Sequence, residues 1–236
     1  MSGPRPSPNR DLLVQVASRL GPVLGEVVFV GGQVAELLVT SPAAVRIRAT
    51  DDVDVVVRVT TRTEYHRLGE RLRALGFRED ATPGAPLCRW RDPDGIPFDV
   101  MPLDGAILGF SNPWYGEALR SAVVVAIGPE LSIRIPSAPA FVATKWAAFD
   151  GRGGGVHHGN ADVEDVVTVV AGRPDLLQEL AGAPAELQRW LAVRTAEFLR
   201  CDESADVIAG ALPDAWAAPA TVAAVRRRFE AIAALG

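Results

Sequence analysis

The segment Thr50-Asp51-Asp52-Val53-Asp54-Val55-Val56-Val57 sets two carboxylates, Asp52 and Asp54, two residues apart in a run of valine. On a β-strand such residues share a face, roughly 6–7 Å apart along the strand, while Asp51 points the other way. Acids beside so much valine are costly to desolvate unless their charge is offset. Hard divalent cations offset it well, since Mg²⁺ prefers carboxylate oxygens and keeps waters that a phosphate oxygen can replace. Taken alone, the pair fits a solvated acidic cluster at a sheet edge better than a metal site. Phe98-Asp99-Val100-Met101 changes the balance by putting a third acid between apolar residues on another predicted strand. If that strand lies beside the first, three carboxylates converge, as an in-line phosphoryl displacement assisted by two metal ions requires. Val30-Gly31-Gly32 joins a predicted strand to a predicted helix. There backbone amides can approach a phosphate closely and the helix terminus favours its charge.

The remaining polar residues carry weaker signals. Lys145 is the only lysine in an otherwise arginine-based chain, and by itself reads as a solvated helix lysine. Asp162 and Asp165 share a helix face at i and i+3, which suits a capping or solvated role nearly as well as a chemical one. His157-His158 follows a glycine-rich loop and suits contact with a phosphate or a plain surface loop, whereas His66 lies among charges and reads as exposed. Three histidines without partner spacing argue against a zinc site. Cys88 and Cys201 are too few for a disulfide framework, lack ligand spacing and read as inert thiols.

These residues must be positioned by a mixed α/β first half. Asn9 is the predicted N-cap of a helix carrying Leu13, Val16 and Leu20. Strands are predicted at Glu26 to Val30 and Asp52 to Val59, with a helix over Gln33 to Val39 between them. The stripe Tyr65, Leu68, Leu72 and Leu75 predicts a further helix that Gly76 closes. Cys88 to Arg91 and Ile96 to Met101 flank Asp92-Pro93-Asp94-Gly95, a hairpin turn. Val123 to Ile127 and Leu131 to Ile135 predict a last strand pair. Helical spacing then dominates: Ala140 to Phe149, the Val163 to Val170 stripe with Asn160 as cap, Leu187 to Phe198, and Val222 to Ile232. The organisation predicted is a disordered terminus over 1–8, an α/β domain over 9–137 with a mixed sheet, and a helical C-terminal part over 138–236.

The composition is that of a globular chain, 48% hydrophobic and 22% charged. A net charge of −5 excludes a chain-wide basic field for holding nucleic acid. The arginines at 67, 71, 73 and 78, and those at 226 to 228, read as solvated helix faces. No signal peptide and no run long enough to span a bilayer is present, so a soluble cytoplasmic protein is expected.

Gly31-Gly32, Asp52-Val53-Asp54 and Asp99, in that order, resemble the nucleotidyltransferase superfamily of the polymerase-β type. Arg48-Ala49-Thr50 before the acidic pair, and Lys145 followed by Asn160-Ala161-Asp162-Val163-Glu164-Asp165, are similar to its AbiEii-like, toxin–antitoxin branch; Ala161 stands where relatives often carry a basic residue. The resemblance covers most of residues 26 to 170. It implies that Asp52, Asp54 and Asp99 hold Mg²⁺ or Mn²⁺, with Asp99 helping to deprotonate the acceptor, and that Gly31 and Gly32 seat the triphosphate of an NTP. Lys145 would neutralise the β- and γ-phosphates and Asp162 would position Lys145 or the acceptor. The implied reaction moves NMP from the NTP to a hydroxyl on tRNA or protein and releases pyrophosphate, with a cognate antitoxin as a further partner. Two other readings stand beside it: transfer to a small molecule of the aminoglycoside type, and a non-catalytic relative that binds a nucleotide or a partner protein.

Overall fold

A five-stranded mixed sheet carries the acidic residues. The computed structural model describes residues 7–41, 47–213 and 217–235. They divide into two units, one of Met1–Val34 with Ala49–Ser137 and the other of Ala35–Arg48 with Ala138–Gly236. The excursion Ala35–Arg48 is not anticipated by an α/β span running unbroken over 9–137. Of the terminus predicted as disordered, residues 1–6 lie outside the described residues, and Pro8 already opens the first helix.

In the first unit, α1 (Pro8–Leu20) leads through a 3₁₀ turn into β1 (Val27–Phe29). Asn9 does not cap α1, because the helix starts one residue earlier after Ser7. Its buried side chain instead accepts the backbone N–H of Thr50 at 3.0 Å, fixing the lead into β2 (Val53–Val57). Next comes α3 (Arg62–Ala74), held at its start by a capping box between Thr61 and Glu64. It docks on the sheet through Tyr65, whose hydroxyl donates to Val100 O at 3.0 Å, and through Gly69. A Cβ at Gly69 would lie 3.2 Å from the Trp90 ring, which explains a glycine in mid-helix. Gly76, at φ 90°, ends the helix in the left-handed conformation expected of its position.

Strands β3 (Arg78–Glu79), β4 (Arg89–Arg91) and β5 (Pro97–Pro102) complete the sheet in the order β1-β2-β5-β4-β3. Only the β2–β5 pair is parallel. The predicted β4–β5 hairpin forms, and Asp92 anchors its turn by accepting the N–H groups of Asp94 and Ile96, each at 2.9 Å. Helix α4 (Tyr115–Arg120) packs under the sheet in a core with Val28, Val56 and Met101, and β6 (Val123–Ala126) pairs antiparallel with β7 (Ser132–Ile135) as a separate ribbon.

The second unit is helical. It comprises α2 (Ala35–Leu38), α5 (Ala138–Gly151), α6 (Ala161–Gly172), α7 (Leu176–Ala181), α8 (Ala185–Leu199), α9 (Ser204–Ala211) and α10 (Pro219–Ala233). Its core is aromatic, with Trp146 and Phe229 each about 5 Å from the Phe198 ring. Asn160 caps α6 as its type and position predict, accepting the N–H groups of Asp162 and Val163. Short elements were the ones sequence spacing missed: β3, α4, α7 and α9 have at most eight residues, too few to establish a period. No helix among the described residues is long and apolar enough to cross a membrane.

Candidate functional site

Parallel pairing of β2 with β5 puts Asp54 directly beside Asp99. Paired residues on neighbouring strands share a face, and Asp52, two residues before Asp54, lies on that face too. One carboxylate oxygen from each of Asp52, Asp54 and Asp99 lies within 4.8 Å of the other two. Asp99 is buried, and Asp52 and Asp54 are half-buried. The valines between them are fully buried, so the sheet fixes the acids without leaving them freedom to spread apart.

A fourth residue, which sequence reasoning overlooked, belongs to this cluster. Arg89 sits on β4 directly across from Asp99. Its Nε donates to Asp99 Oδ1 and its Nη2 to Asp99 Oδ2, both at 2.8 Å, and Nη2 also reaches Asp52 Oδ2 at 3.1 Å. Hydrogen bonding to Asp99, reinforced by the neighbouring acids, raises the guanidinium pKa above its ordinary value. A bidentate fork onto one carboxylate with a third bond to a second is a strong, charge-assisted arrangement. Arg89 thus supplies the positive charge that three clustered acids need, and it occupies lone pairs that a metal ion would use.

The glycine turn departs from expectation. A 3₁₀ turn (Gly32–Val34) and the four-residue α2 replace the helix expected over Gln33 to Val39. One helical turn has few aligned peptide dipoles to offer a phosphate. Both glycines are buried. A Cβ on Gly31 would lie 2.2 Å from Gln33 Oε1 and 2.6 Å from Asp54 Oδ2, so the glycine is needed where these side chains crowd the backbone. Gln33 was also overlooked. It is fully buried, yet neither its Oε1 nor its Nε2 has a hydrogen-bond partner among the described residues. The hydroxyl of Thr50, two residues before Asp52, is likewise buried and unpartnered. Unmet buried polar atoms are costly to folding, and the Gln33 amide lies with Asp54 against the same glycine. Three hard oxygen donors within reach of one ion, with unmet polar groups at their side, fit a divalent cation and a phosphate-bearing ligand.

Lys145 and Asp162 belong to the second unit. Lys145 is not a solvated helix lysine, being only 8% exposed. Its Nζ lies 2.7 Å from Asp165 and 3.4 Å from Asp162. Both acids are buried, so the solvated alternative fails for them as well. Asp162 also pairs with Arg152, and Arg48 approaches Asp165 at 3.7 Å. These six residues 48, 145, 152, 162, 164 and 165 form a charge-balanced network, since Glu164 lies 4.0 Å from Arg48.

His157 is not a plain surface-loop residue. Its ring packs 4.7 Å from Phe149 and 5.5 Å from Phe198, and desolvation lowers its pKa. His66 is exposed, beside Glu70. Cys88 is buried and free, and burial, with Asp99 and Asp54 nearby, pushes its thiol up to about 12, which removes it from nucleophilic chemistry.

No protein-family model and no curated protein matches the chain. Among solved structures it is similar to an antigenic nucleotidyltransferase-like protein from Paracoccidioides brasiliensis. Identity is 22%, over 84% of this chain and 91% of that one, at a TM-score of 0.48. A likeness of that degree carries no argument about activity.

Proposed function

We propose that this chain is a metal-dependent nucleotidyltransferase of the polymerase-β type, with Asp52, Asp54 and Asp99 as the residues that hold Mg²⁺ or Mn²⁺. The convergence of three carboxylate oxygens within 4.8 Å, at two paired strands that are otherwise apolar, carries the reading. A bound divalent cation would neutralise charge on the triphosphate and favour the ionised form of the attacking hydroxyl. The oxygen of that hydroxyl attacks the α-phosphorus, the bond to the bridging oxygen breaks, and pyrophosphate leaves. The resemblance in motif order assigns the released proton to Asp99. Gly31 allows Gln33 and Asp54 to sit against the turn, and the unpartnered Gln33 amide is the group available to orient a phosphate there. Gly32, Lys145 and Asp162 enter the proposal as triphosphate- and acceptor-side residues through the same resemblance, as do the toxin-like acceptor class, tRNA or protein, and the antitoxin.

One observation favours a second reading. Arg89 already balances Asp52 and Asp99, which suits a non-catalytic relative that keeps the fold to bind a nucleotide or a partner. Incubation with each labelled NTP, Mg²⁺ or Mn²⁺, and total RNA or lysate separates the two. Label in RNA, protein or a small-molecule fraction, lost in Asp54→Asn, supports transfer and identifies the acceptor class, including an aminoglycoside-type one. Nucleotide binding without label in any fraction supports the second reading.

A further inference from the structure

Strand β2 has a second end. Its N-terminal side carries the acids; its C-terminal side, Val57 with Arg58 and Val59, forms the wall of a cleft of about 450 Å³. Four residues separate Asp54 from Arg58, roughly 13 Å of strand, so the cleft is distinct from the acidic cluster. The volume lies in the range of small-molecule sites.

The charge of this cleft opposes that of the chain. Four arginines at 58, 67, 71 and 134 line it against two glutamates, in a protein of net charge −5. One glutamate cancels one of these arginines and the other is tied to backbone. Glu26 takes both Nη atoms of Arg71, at 2.6 and 2.8 Å. Glu64 accepts from the N–H groups of Thr60 and Thr61 at the start of α3. Among the described residues Arg134 donates to two carbonyls, Gly25 O and Leu119 O, each at 3.4 Å, and pairs with no carboxylate, so it keeps its charge. Arg58 and Arg67 are exposed and have no ion-pair or hydrogen-bond partner among the described residues. Between the arginines the floor is apolar, made by Val57, Leu68 and Leu119. Guanidinium forks match phosphate oxygens bidentately, and an apolar floor accepts a ring that inorganic phosphate lacks.

We propose that this cleft is a second binding site, taking a small phosphate ester of mononucleotide size. It stands independently of the reading of the acidic cluster. Calorimetric titration of the full chain in EDTA keeps divalent-dependent binding at the acids silent, with AMP and inorganic phosphate as probes. Saturable one-to-one binding of AMP is expected, with phosphate at least tenfold weaker. The Arg58→Ala, Arg67→Ala double variant, whose two side chains are exposed and so leave the fold intact by thermal melting, should bind AMP at least tenfold more weakly. Asp54→Asn should bind AMP as the wild type does. Absence of saturable binding, unchanged AMP affinity in the double variant, phosphate binding as tight as AMP, or loss of binding in Asp54→Asn each overturns the proposal.

Discussion

Replacing Arg89 with Met removes the charge while keeping most of the aliphatic stem. Two carboxylate oxygens within 4.8 Å of each other repel by at least about 1–3.5 kcal/mol at effective dielectrics between water and a protein surface. Arg89 offsets this with three charge-assisted bonds, each about 1.5–3 kcal/mol when shielded. Its side chain is 24% exposed and that of Asp52 39%, so only the two bonds to the 10%-exposed Asp99 retain much of that value. Screening brings the whole arrangement to about 2–3 kcal/mol. Arg89→Met should therefore lower metal-free stability by about that amount. It should also tighten divalent binding, because a cation no longer competes with the guanidinium for the same oxygens. At about 1.4 kcal/mol per factor of ten, Mn²⁺ should bind roughly 30- to 140-fold more tightly. Denaturant melts in EDTA give the first quantity and calorimetric Mn²⁺ titration the second. Unchanged Mn²⁺ affinity in a variant that is destabilised would show that guanidinium and metal do not share the oxygens, and the competition argument would fall.

Other substitutions separate the members of the cluster. Asp54→Asn should abolish nucleotide transfer while the metal-free protein melts no lower than wild type, since like charge is removed; Asp99→Asn should destabilise instead, because Arg89 loses its bidentate partner, and equal melting of the two variants would contradict the assignment. Gln33→Met removes two unmet buried polar atoms and should raise stability by about 1–2 kcal/mol while cutting transfer at least tenfold; full transfer in this variant would leave Gln33 without a role in phosphate contact. Lys145→Met should cost about 3–5 kcal/mol by stranding buried acids, and Asp165→Asn should restore part of it; transfer that returns with stability in the double variant would make Lys145 a scaffold residue only. Tyr65, raised to about 12 mainly by desolvation, keeps its neutral form longer in the folded protein than in the unfolded one. Its contribution is complete below about pH 10 and lost as pH rises towards 12, so Tyr65→Phe should flatten the fall in stability across that window in alkaline melts.

Asp52 and Asp54 were legible as a same-face pair because a strand has a period of two, although alone they read more readily as a solvated edge. Their adjacency to Asp99 was not, since which strands pair, and in what register, is set by tertiary packing. Arg89 was closer to hand. Symmetry about the predicted Asp92–Gly95 turn pairs Arg89 with Phe98, one residue short of Asp99; the hairpin instead closes between Asp92 and Ile96, and that one-residue longer loop sets Arg89 against Asp99. An arginine alternating with buried Cys88 and Trp90 looked merely like the solvent side of a strand. Gln33 was hidden for the opposite reason. Its polarity and the preceding glycines suggested a helix start, whereas the chain makes a 3₁₀ turn that buries it. Lys145 shows the limit of composition: a lone lysine says nothing about burial, and only the folded helices reveal that two acids hold it.

The hydrogen bonds of the Ala35–Arg48 excursion also bear on how the protein is made. Thr40 and Ser41 donate to Gly172 O at 3.0 and 2.8 Å, and Arg173 returns a bond to Leu38 O at 2.7 Å. A ribosome adding about 5–20 residues per second delivers Gly172 on the order of ten seconds after Thr40. Once the strands through residue 102 have emerged, the nascent sheet exists with an insert whose partner has not yet been synthesised. Folding of the first unit during synthesis must then proceed around an unsatisfied segment, and a chain released after residue 137 would keep it unsatisfied permanently. Ribosome-bound chains halted before and after residue 172 should differ in protease cleavage near Thr40, with protection appearing only in the longer ones.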